Sequence, residues 1–502
     1  MSFPSSLLTY VFFFDLVNKD FCEVDRIFCF QTFYNVIINE LTSTAETRHG
    51  INPSTEEALP PVPLSTQEDV DKAVAAAQAA YPAWRDLTYD ERAKYILRYA
   101  DAIEANLAGI QDILMKEAGK PVQNATQELG FALMHLRQTA GLRLPEDVVE
   151  DSEERTATVR YVPIGVGVGI VPWNYPALLG LGKLDAAVLT GNTYIWKPSP
   201  YAPYTALKLG ELAAKIFPPG VVQVLSGDES LGPLFTAHPS IGKISFTGSS
   251  ATGKKVMAAC AKTLKRVTLE LGGNDASIVC DDVDVKQVVQ KIGPFSFLHA
   301  GQICMEIKRL YVHEKIYDEF LAAMVEVVKT FKVGGAGDAE AFLGPVQNSM
   351  QYEKVQDMFS EISKQNWKVA LGGDVCSTGK EKGYFFPPTI IDNPPENSRI
   401  VVEEPFGPIM PVLKWKDEED VIRRANNTDM GLGASVWSSD VERAKKIATR
   451  LEAGSVWVNS HFELSPSVPF GGHKWSGIGM DWGIVGMKGW CNTQSMWVRK
   501  KF

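Results

Sequence analysis

Lys243-Ile-Ser-Phe-Thr-Gly-Ser-Ser-Ala-Thr-Gly-Lys-Lys255 joins a short apolar run to a helical pattern through a glycine–serine turn. Lys243–Thr247 reads as a strand and Gly253–Leu264 as a helix. A strand that turns directly into a helix is half of a βαβ unit. The segment is one residue short of a triphosphate-loop signature, because Lys255 stands where a magnesium-holding hydroxyl belongs. It still suits a pyrophosphate laid on a helix N-terminus without magnesium.

The same alternation extends in both directions. Apolar runs at Val166–Val171, Asn192–Lys197, Val221–Leu225, Arg266–Leu271 and Ala276–Val279 are separated by helical patterns at Leu179–Leu189, Thr205–Phe217 and Ser230–His238. Strands that are apolar throughout imply an open parallel sheet covered on both faces. Such sheets bind ligands outside the carboxyl ends of their strands. Gly165-Val-Gly-Val-Gly169 looks superficially like a dinucleotide fingerprint, but the Ile-Val-Pro-Trp-Asn-Tyr-Pro after it cannot open a helix, so it reads as a strand.

Before this region, Phe30 to Asn52 is irregular, and helices are predicted at Gln67–Tyr81, Asp90–Asn106, Gly109–Glu117 and Ala125–Leu142. After it, Ile316–Phe331, Met350–Gln365, Lys368–Leu371, Ile409–Leu413, Glu418–Asn426 and Val441–Leu451 repeat the alternation with different content. They mark a second α/β unit. Thr156–Val162 and the tail Trp490–Lys500 alternate like exposed strands and are expected to form one small sheet used for assembly. The expected division is an atypical extension over 1–28 and a cofactor-binding domain over 29–281, with residues 154–164 making an excursion to the small sheet. A catalytic domain over 282–484 and an oligomerisation strand over 485–502 complete it.

A chain of 502 residues with 45% hydrophobic and 22% charged residues has the composition of an ordinary globular protein. Its formal net charge of −10 argues against nucleic acid or an anionic membrane as partner and favours a small molecule. The seven cysteines, at 22, 29, 260, 280, 304, 376 and 491, include no CxxC pair and no interleaved histidines, which predicts a reducing compartment and no metal. Leu7–Phe14 is strongly apolar but too short to span a bilayer and has no basic residues before it. A cytoplasmic location is expected.

Gly301-Gln-Ile-Cys304 places a cysteine just after a glycine that permits close approach, and the strand Ile307–His313 carries the chain away. Free cysteine is more often packing than chemistry. Its company decides the matter. Pro172-Trp-Asn-Tyr-Pro176, Trp196-Lys-Pro-Ser199, Phe246-Thr-Gly-Ser249, Leu269-Glu-Leu-Gly-Gly-Asn274, Gly301-Gln-Ile-Cys304, Glu403-Glu-Pro-Phe-Gly-Pro408 and Pro469-Phe-Gly-Gly-His-Lys474 stand in the order and spacing of the aldehyde dehydrogenase superfamily. From about residue 30 to the C-terminus the chain resembles that family.

The resemblance implies the aldehyde dehydrogenase fold: a Rossmann-like parallel-sheet cofactor domain, a second α/β catalytic domain and a small β oligomerisation element. It also implies oxidation of an aldehyde to a carboxylic acid with NAD or NADP through a thiohemiacetal and a thioester on Cys304. Asn174 and the backbone N–H of Cys304 would hold the oxyanion, Glu270 would act as general base, and Lys183 would help relay protons. For the coenzyme, Lys197 would meet the adenosine ribose, Trp173, Gly248 and Ser249 the pyrophosphate, and Glu404 with Phe406 the nicotinamide end. The two exposed edge strands argue against a monomer, so a homodimer or homotetramer is expected.

Several positions depart from the family pattern. Pro200 replaces an acid that grips the 2′-hydroxyl in many NAD-preferring relatives, and Ser199 could donate to a 2′-phosphate, so the coenzyme choice stays open. Gly182 replaces a bulky aromatic, which predicts a wider entrance lined by Tyr175, Leu178, Leu179, Ile303, Leu464 and Phe470. Glu306 replaces a small residue and is expected to point away from the thiol toward Lys308 or Arg309. Trp475 replaces a polar residue. The rival readings are an acyl-coenzyme-A-forming variant, a cysteine hydrolase pairing Cys304 with His299, and a non-catalytic relative.

Overall fold

The computed structural model describes residues 30–501, so the predicted extension over 1–28 lies outside the described residues. Its first sheet has eight strands. The parallel core, in spatial order, is Arg266–Glu270, Lys243–Thr247, Val166–Ile170, Thr193–Lys197 and Val222–Val224. Helices Pro176–Leu189, Tyr204–Ile216, Leu231–Ala237 and Ser250–Ala261 make the crossovers. From Val166–Ile170 the chain winds outward through Thr193–Lys197 and Val222–Val224, then returns to lay Lys243–Thr247 on the other side. The strand order therefore reverses between Val166–Ile170 and Lys243–Thr247, and a crevice opens at their carboxyl ends.

The irregular stretch before Asn52 supplies what the sequence reading missed. Asn35–Ile37 and Glu40–Thr42 pair as a hairpin that extends the sheet edge beside Val224. Its two turn residues, Ile38 and Asn39, take φ of 55° and 60°. A β-branched residue is rare in such a turn, so the local signal was weak. The predicted helices appear as Gln67–Arg85, Tyr89–Ala105, Leu107–Ala118 and Val122–Thr139. They bury Trp84, Tyr99, Leu114 and Leu136 against one face of the sheet.

The second sheet has seven strands, ordered Val369–Leu371, Thr389–Asp392, Ile409–Trp415, Ile307–His313, Asp275–Val279, Gly433–Trp437 and Ser455–Val458. Alternation along the sequence puts Asp275–Val279 with the first unit, yet it pairs in parallel with Ile307–His313 and Gly433–Trp437. Conversely, Gly477–Ile478 returns to the first sheet beside Arg266–Glu270. The chain thus crosses between the sheets at Leu271–Asn274, where Gly272 and Gly273 lie. Cys491–Arg499 pairs antiparallel with Arg155–Pro163 along its whole length, and Asp147–Asp151 completes a three-stranded sheet.

Candidate active site

Four of the predicted chemical residues emerge from the crevice ends of strands in the first sheet, while Cys304 lies in the loop that enters the strand Ile307–His313 and Lys183 on the helix Pro176–Leu189. Asn174 follows Val166–Ile170, and Lys197 ends Thr193–Lys197. Ser249 follows Lys243–Thr247, and Glu270 ends Arg266–Glu270. Asn174 is held from two sides. Glu128 Oε1 accepts the N–H groups of Ala177 and Leu178 at 2.9 and 3.1 Å, which fixes the first turn of the helix that follows. Glu128 is itself paired with Lys120 at 2.6 Å, and that ammonium lies 3.3 Å from the Tyr175 ring centroid. On the other side, Asn174 Nδ2 donates to the Gln302 carbonyl at 2.9 Å, leaving its second amide hydrogen for another acceptor.

The loop that leads to Cys304 contains a left-handed turn. His299, Ala300 and Gly301 take φ of 51°, 55° and 77° in succession. Only glycine fits the last position, because a Cβ on Gly301 would stand 2.2 Å from the Gly407 carbonyl oxygen. Gln302 bolts the turn in place: Oε1 accepts the Gln347 N–H at 2.9 Å, and Nε2 donates to the carbonyls of His299 and Pro345. Opposite, Gly272 and Gly273 let the crossing strand approach. A Cβ at Gly272 would meet Glu404 Oε2 at 2.5 Å, and one at Gly273 would meet the Cys304 carbonyl at 2.2 Å.

Burial dominates the electrostatics. It pushes the Cys304 thiol up to about 12, with Lys308 opposing and Glu270, Glu404 and Asp275 adding to the rise. Glu270 is buried with Oε1 unpartnered, and its carboxyl is held well above the usual range by burial and then by Asp481, with Lys183 opposing. Lys183 donates to Asp481 and, at 3.0 Å, to Ser245. Beside this chain, burial lowers the Lys243 ammonium to about 7.

On the coenzyme side, Ser249 caps the helix Ser250–Ala261, its Oγ accepting the Thr252 N–H at 3.2 Å, and Gly248 precedes it against the Phe246 ring. Trp173 packs edge-to-face on Phe406, whose φ of 52° is left-handed. Glu404 keeps one oxygen on the Gly273 N–H at 3.2 Å. Lys197 is buried and lowered to about 8 by desolvation, while Glu229 and Asp228 favour its charged form and Arg48 opposes it. Ser199 Oγ accepts the Tyr201 N–H. The arrangement fits a dinucleotide: a capped helix end, a lysine with no ion pair among the described residues, and a carboxylate drawn close by a glycine pair. Trp475, unexplained by the sequence, lies under Lys254 with the ammonium 3.2 Å from the ring centroid.

Around the thiol, Ile303, Phe470 and Trp482 form a buried cluster against which Cys304, Tyr175, Leu464, Phe131 and Phe462 pack. Leu178 and Leu179 turn instead into the helical core. The predicted wide entrance at Gly182 is not what the structure shows. A Cβ there would stand 2.9 Å from Trp482 Nε1 and 3.4 Å from His135 Cε1, so Trp482 occupies the space the missing aromatic vacates. The sequence reading missed Trp482 because it lies far along the chain from Gly182. Glu306 forms an ion pair with neither expected partner: Lys308 turns to Glu404, and Arg309 to the carbonyls of Asn274, Arg424 and Ala425. Burial raises the Glu306 carboxyl well above its usual range. His299 is buried edge-on to Tyr175 with both ring nitrogens unpartnered, an arrangement unlike a cysteine–histidine pair.

Comparison with known proteins agrees with this geometry. A family model described as the aldehyde dehydrogenase family matches residues 41–496. Aldehyde dehydrogenase LUC3 of a Fusarium species is 40% identical over 94% of this chain and all of its own. Retinaldehyde dehydrogenase 3 of Homo sapiens is 37% identical over 89% of each chain. The NAD+ complex of aldehyde dehydrogenase from Bacillus cereus superposes with a TM-score of 0.90 at 34% identity, over 93% of this chain and 97% of that one. The chain belongs to the aldehyde dehydrogenase family.

Proposed function

We propose that this NAD(P)-dependent aldehyde dehydrogenase works through covalent catalysis on Cys304, with Asn174, Glu270 and Lys183 as its partners, and that it takes an apolar aldehyde. The observation that carries the reading is the convergence at one crevice of Asn174, Glu270 and the Cys304 loop, each from a different strand end.

The thiol of Cys304 needs a base, since burial opposes its ionisation. Glu270, whose raised pKa makes its ionised form a stronger base, is matched to take that proton once ionised, as the sulfur adds to the aldehyde carbon. The oxygen that becomes negative is met by the free amide hydrogen of Asn174 and the N–H of Cys304; one such donor is worth about 3 kcal/mol. Glu404 and Phe406 would hold a nicotinamide, with Lys197, Ser199, Trp173, Gly248 and Ser249 along the rest of the dinucleotide, and the coenzyme bound there would supply the hydride acceptor. Glu270 then draws a proton from the water that releases the acid from the thioester. Lys183 and Asp481, joined to each other and to Ser245, would pass protons away from it.

The lining of Tyr175, Ile303, Leu464, Phe470 and Trp482 favours a medium-chain or aromatic aldehyde. The small sheet exposes Val148, Val149, Trp497 and Val498, which supports assembly into a homodimer or homotetramer. Among the described residues, no helix is long and apolar enough to cross a membrane; the free cysteines Cys260, Cys280, Cys304, Cys376 and Cys491 support a reducing compartment, the cytoplasm. The test is absorbance of reduced nicotinamide with NAD or NADP and aldehydes from acetaldehyde through decanal to benzaldehyde, beside Cys304→Ala. Signal with the longer or aromatic members that vanishes in the variant is expected. Equal turnover in the variant would refute the covalent reading.

A further inference from the structure

Lys308 lies four residues beyond the nucleophile and reaches back beneath it. Its ammonium donates to the carbonyl oxygens of Ile303 and Cys304, 2.7 Å to each, and lies 3.3 Å from Glu404 Oε1. The side chain is only 5% exposed, and that of Glu404 is 15% exposed. Two of the three N–H donors of the ammonium go to these carbonyls, and its charge is paired with the Glu404 carboxylate. The same Glu404 oxygen accepts the Gly273 N–H at 3.2 Å. One cation therefore ties the nucleophile loop, the glycine pair and the coenzyme carboxylate into a single unit.

Two consequences follow from elementary chemistry. The peptide between Ile303 and Cys304 is planar and trans, so holding its carbonyl down onto Lys308 aims the Cys304 N–H the opposite way, toward the side on which an oxyanion would form. The ammonium also sets a positive charge against Glu270, Glu404 and Asp275, the anions that oppose ionisation of the thiol. Glu306, also buried, feels the same ammonium: Lys308 opposes the rise that burial imposes on its carboxyl, and Asp275 adds to that rise.

We infer that Lys308 is a positioning residue for the reaction: it aims the backbone oxyanion donor of Cys304 and, through its contact with Glu404, links the thiol's acidity to the coenzyme site. The inference rests on Cys304 as the nucleophile.

The rate of Cys304 alkylation by iodoacetamide against pH, read by peptide mapping in the coenzyme-free enzyme, tests it. In Lys308→Met the midpoint should move up by about one pH unit, slowing alkylation roughly tenfold below the midpoint, because one unit is a tenfold change in thiolate. Lys308→Arg, which keeps the charge, should restore most of that rate. A midpoint unmoved in Lys308→Met, whatever happens to its melting temperature, would reduce Lys308 to a structural role. If that variant fails to fold, Glu404→Gln against Lys308→Met/Glu404→Gln gives the same comparison without stranding a buried carboxylate. The double variant should then have the higher midpoint, and equal midpoints would overturn the inference. A Cys304 inert to alkylation at every pH in the wild-type enzyme would instead overturn the nucleophile assignment, and this inference with it.

Discussion

Gly273 and Cys304 touch through backbone alone: a Cβ on Gly273 would lie 2.2 Å from the Cys304 carbonyl oxygen, 2.8 Å from Asp275 Oδ1 and 3.1 Å from the Leu432 Cβ. The segment that crosses between the two sheets thus sets the depth of the Cys304 loop. Gly273→Ala must move that loop, and a displacement of about 1 Å at reacting atoms can cost on the order of a hundredfold in rate. Steady-state kinetics should show that loss in kcat. Gly130→Ala, in a helix with nothing within 4 Å of the added carbon, should keep full activity and gain about 0.5–1 kcal/mol of stability.

As the proposed base, Glu270 would act in its ionised form, and burial, then Asp481, raise its pKa while Lys183 lowers it. Activity should therefore climb with pH through the Glu270 ionisation. Lys183→Met removes the lowering charge and should move the rising limb of the pH–rate profile to higher pH. Asp481→Asn removes a raising charge and leaves Lys183 unneutralised, so its limb should move to lower pH. Profiles that shift in the same direction would dissociate this pair from Glu270.

Trp482 stacks on Phe470 with ring centroids 5.1 Å apart and fills the space before Gly182. Trp482→Ala should cost on the order of 3 kcal/mol of stability. It should also turn preference toward bulkier aldehydes by roughly tenfold in kcat/KM, the scale of a pocket's discrimination by size. A kcat/KM series over chain length and ring size reads the change.

Lys243 is buried against Thr268 and Trp490, and desolvation lowers it from 10.5 to about 7. Between those values the unfolded chain binds the proton that the folded one has lost, so stability rises with pH. The contribution is fully present above pH 10.5 and is lost as pH falls through about 7. Lys243→Met should raise the melting temperature most near pH 7 and progressively less toward pH 10, which thermal unfolding across that range would show.

How far the sequence could be read follows from the range over which each signal acts. Apolar strands and amphipathic helices declare themselves within ten or twenty residues, so the parallel sheet was legible locally, whereas Asn174, Lys197, Ser249 and Glu270 were singled out by the family resemblance of the motifs that hold them. The exposed alternation of Thr156–Val162 and the tail was equally local, and the two do share a sheet. Long-range compensation was not legible. Gly182 announced a gap, but Trp482, which fills it, lies in another segment. Lys308 and Glu306 offered opposite charges two positions apart, yet on a strand such neighbours at i and i+2 share a face only while the strand is regular, and Lys308 turns instead to the carbonyls of its own loop. Asp275–Val279 was read with the wrong unit because periodicity identifies a strand without naming its partners.

The central claim is that the acyl group is carried on Cys304, and trapping it is the most direct test. Glu270→Gln, mixed with NAD and a medium-chain or aromatic aldehyde and quenched in acid, should accumulate a thioester on the peptide that contains Cys304, seen by mass spectrometry and absent from Cys304→Ala. Coenzyme reduction by the wild-type enzyme with no adduct on that peptide in Glu270→Gln, together with continued turnover by Cys304→Ala, would contradict it.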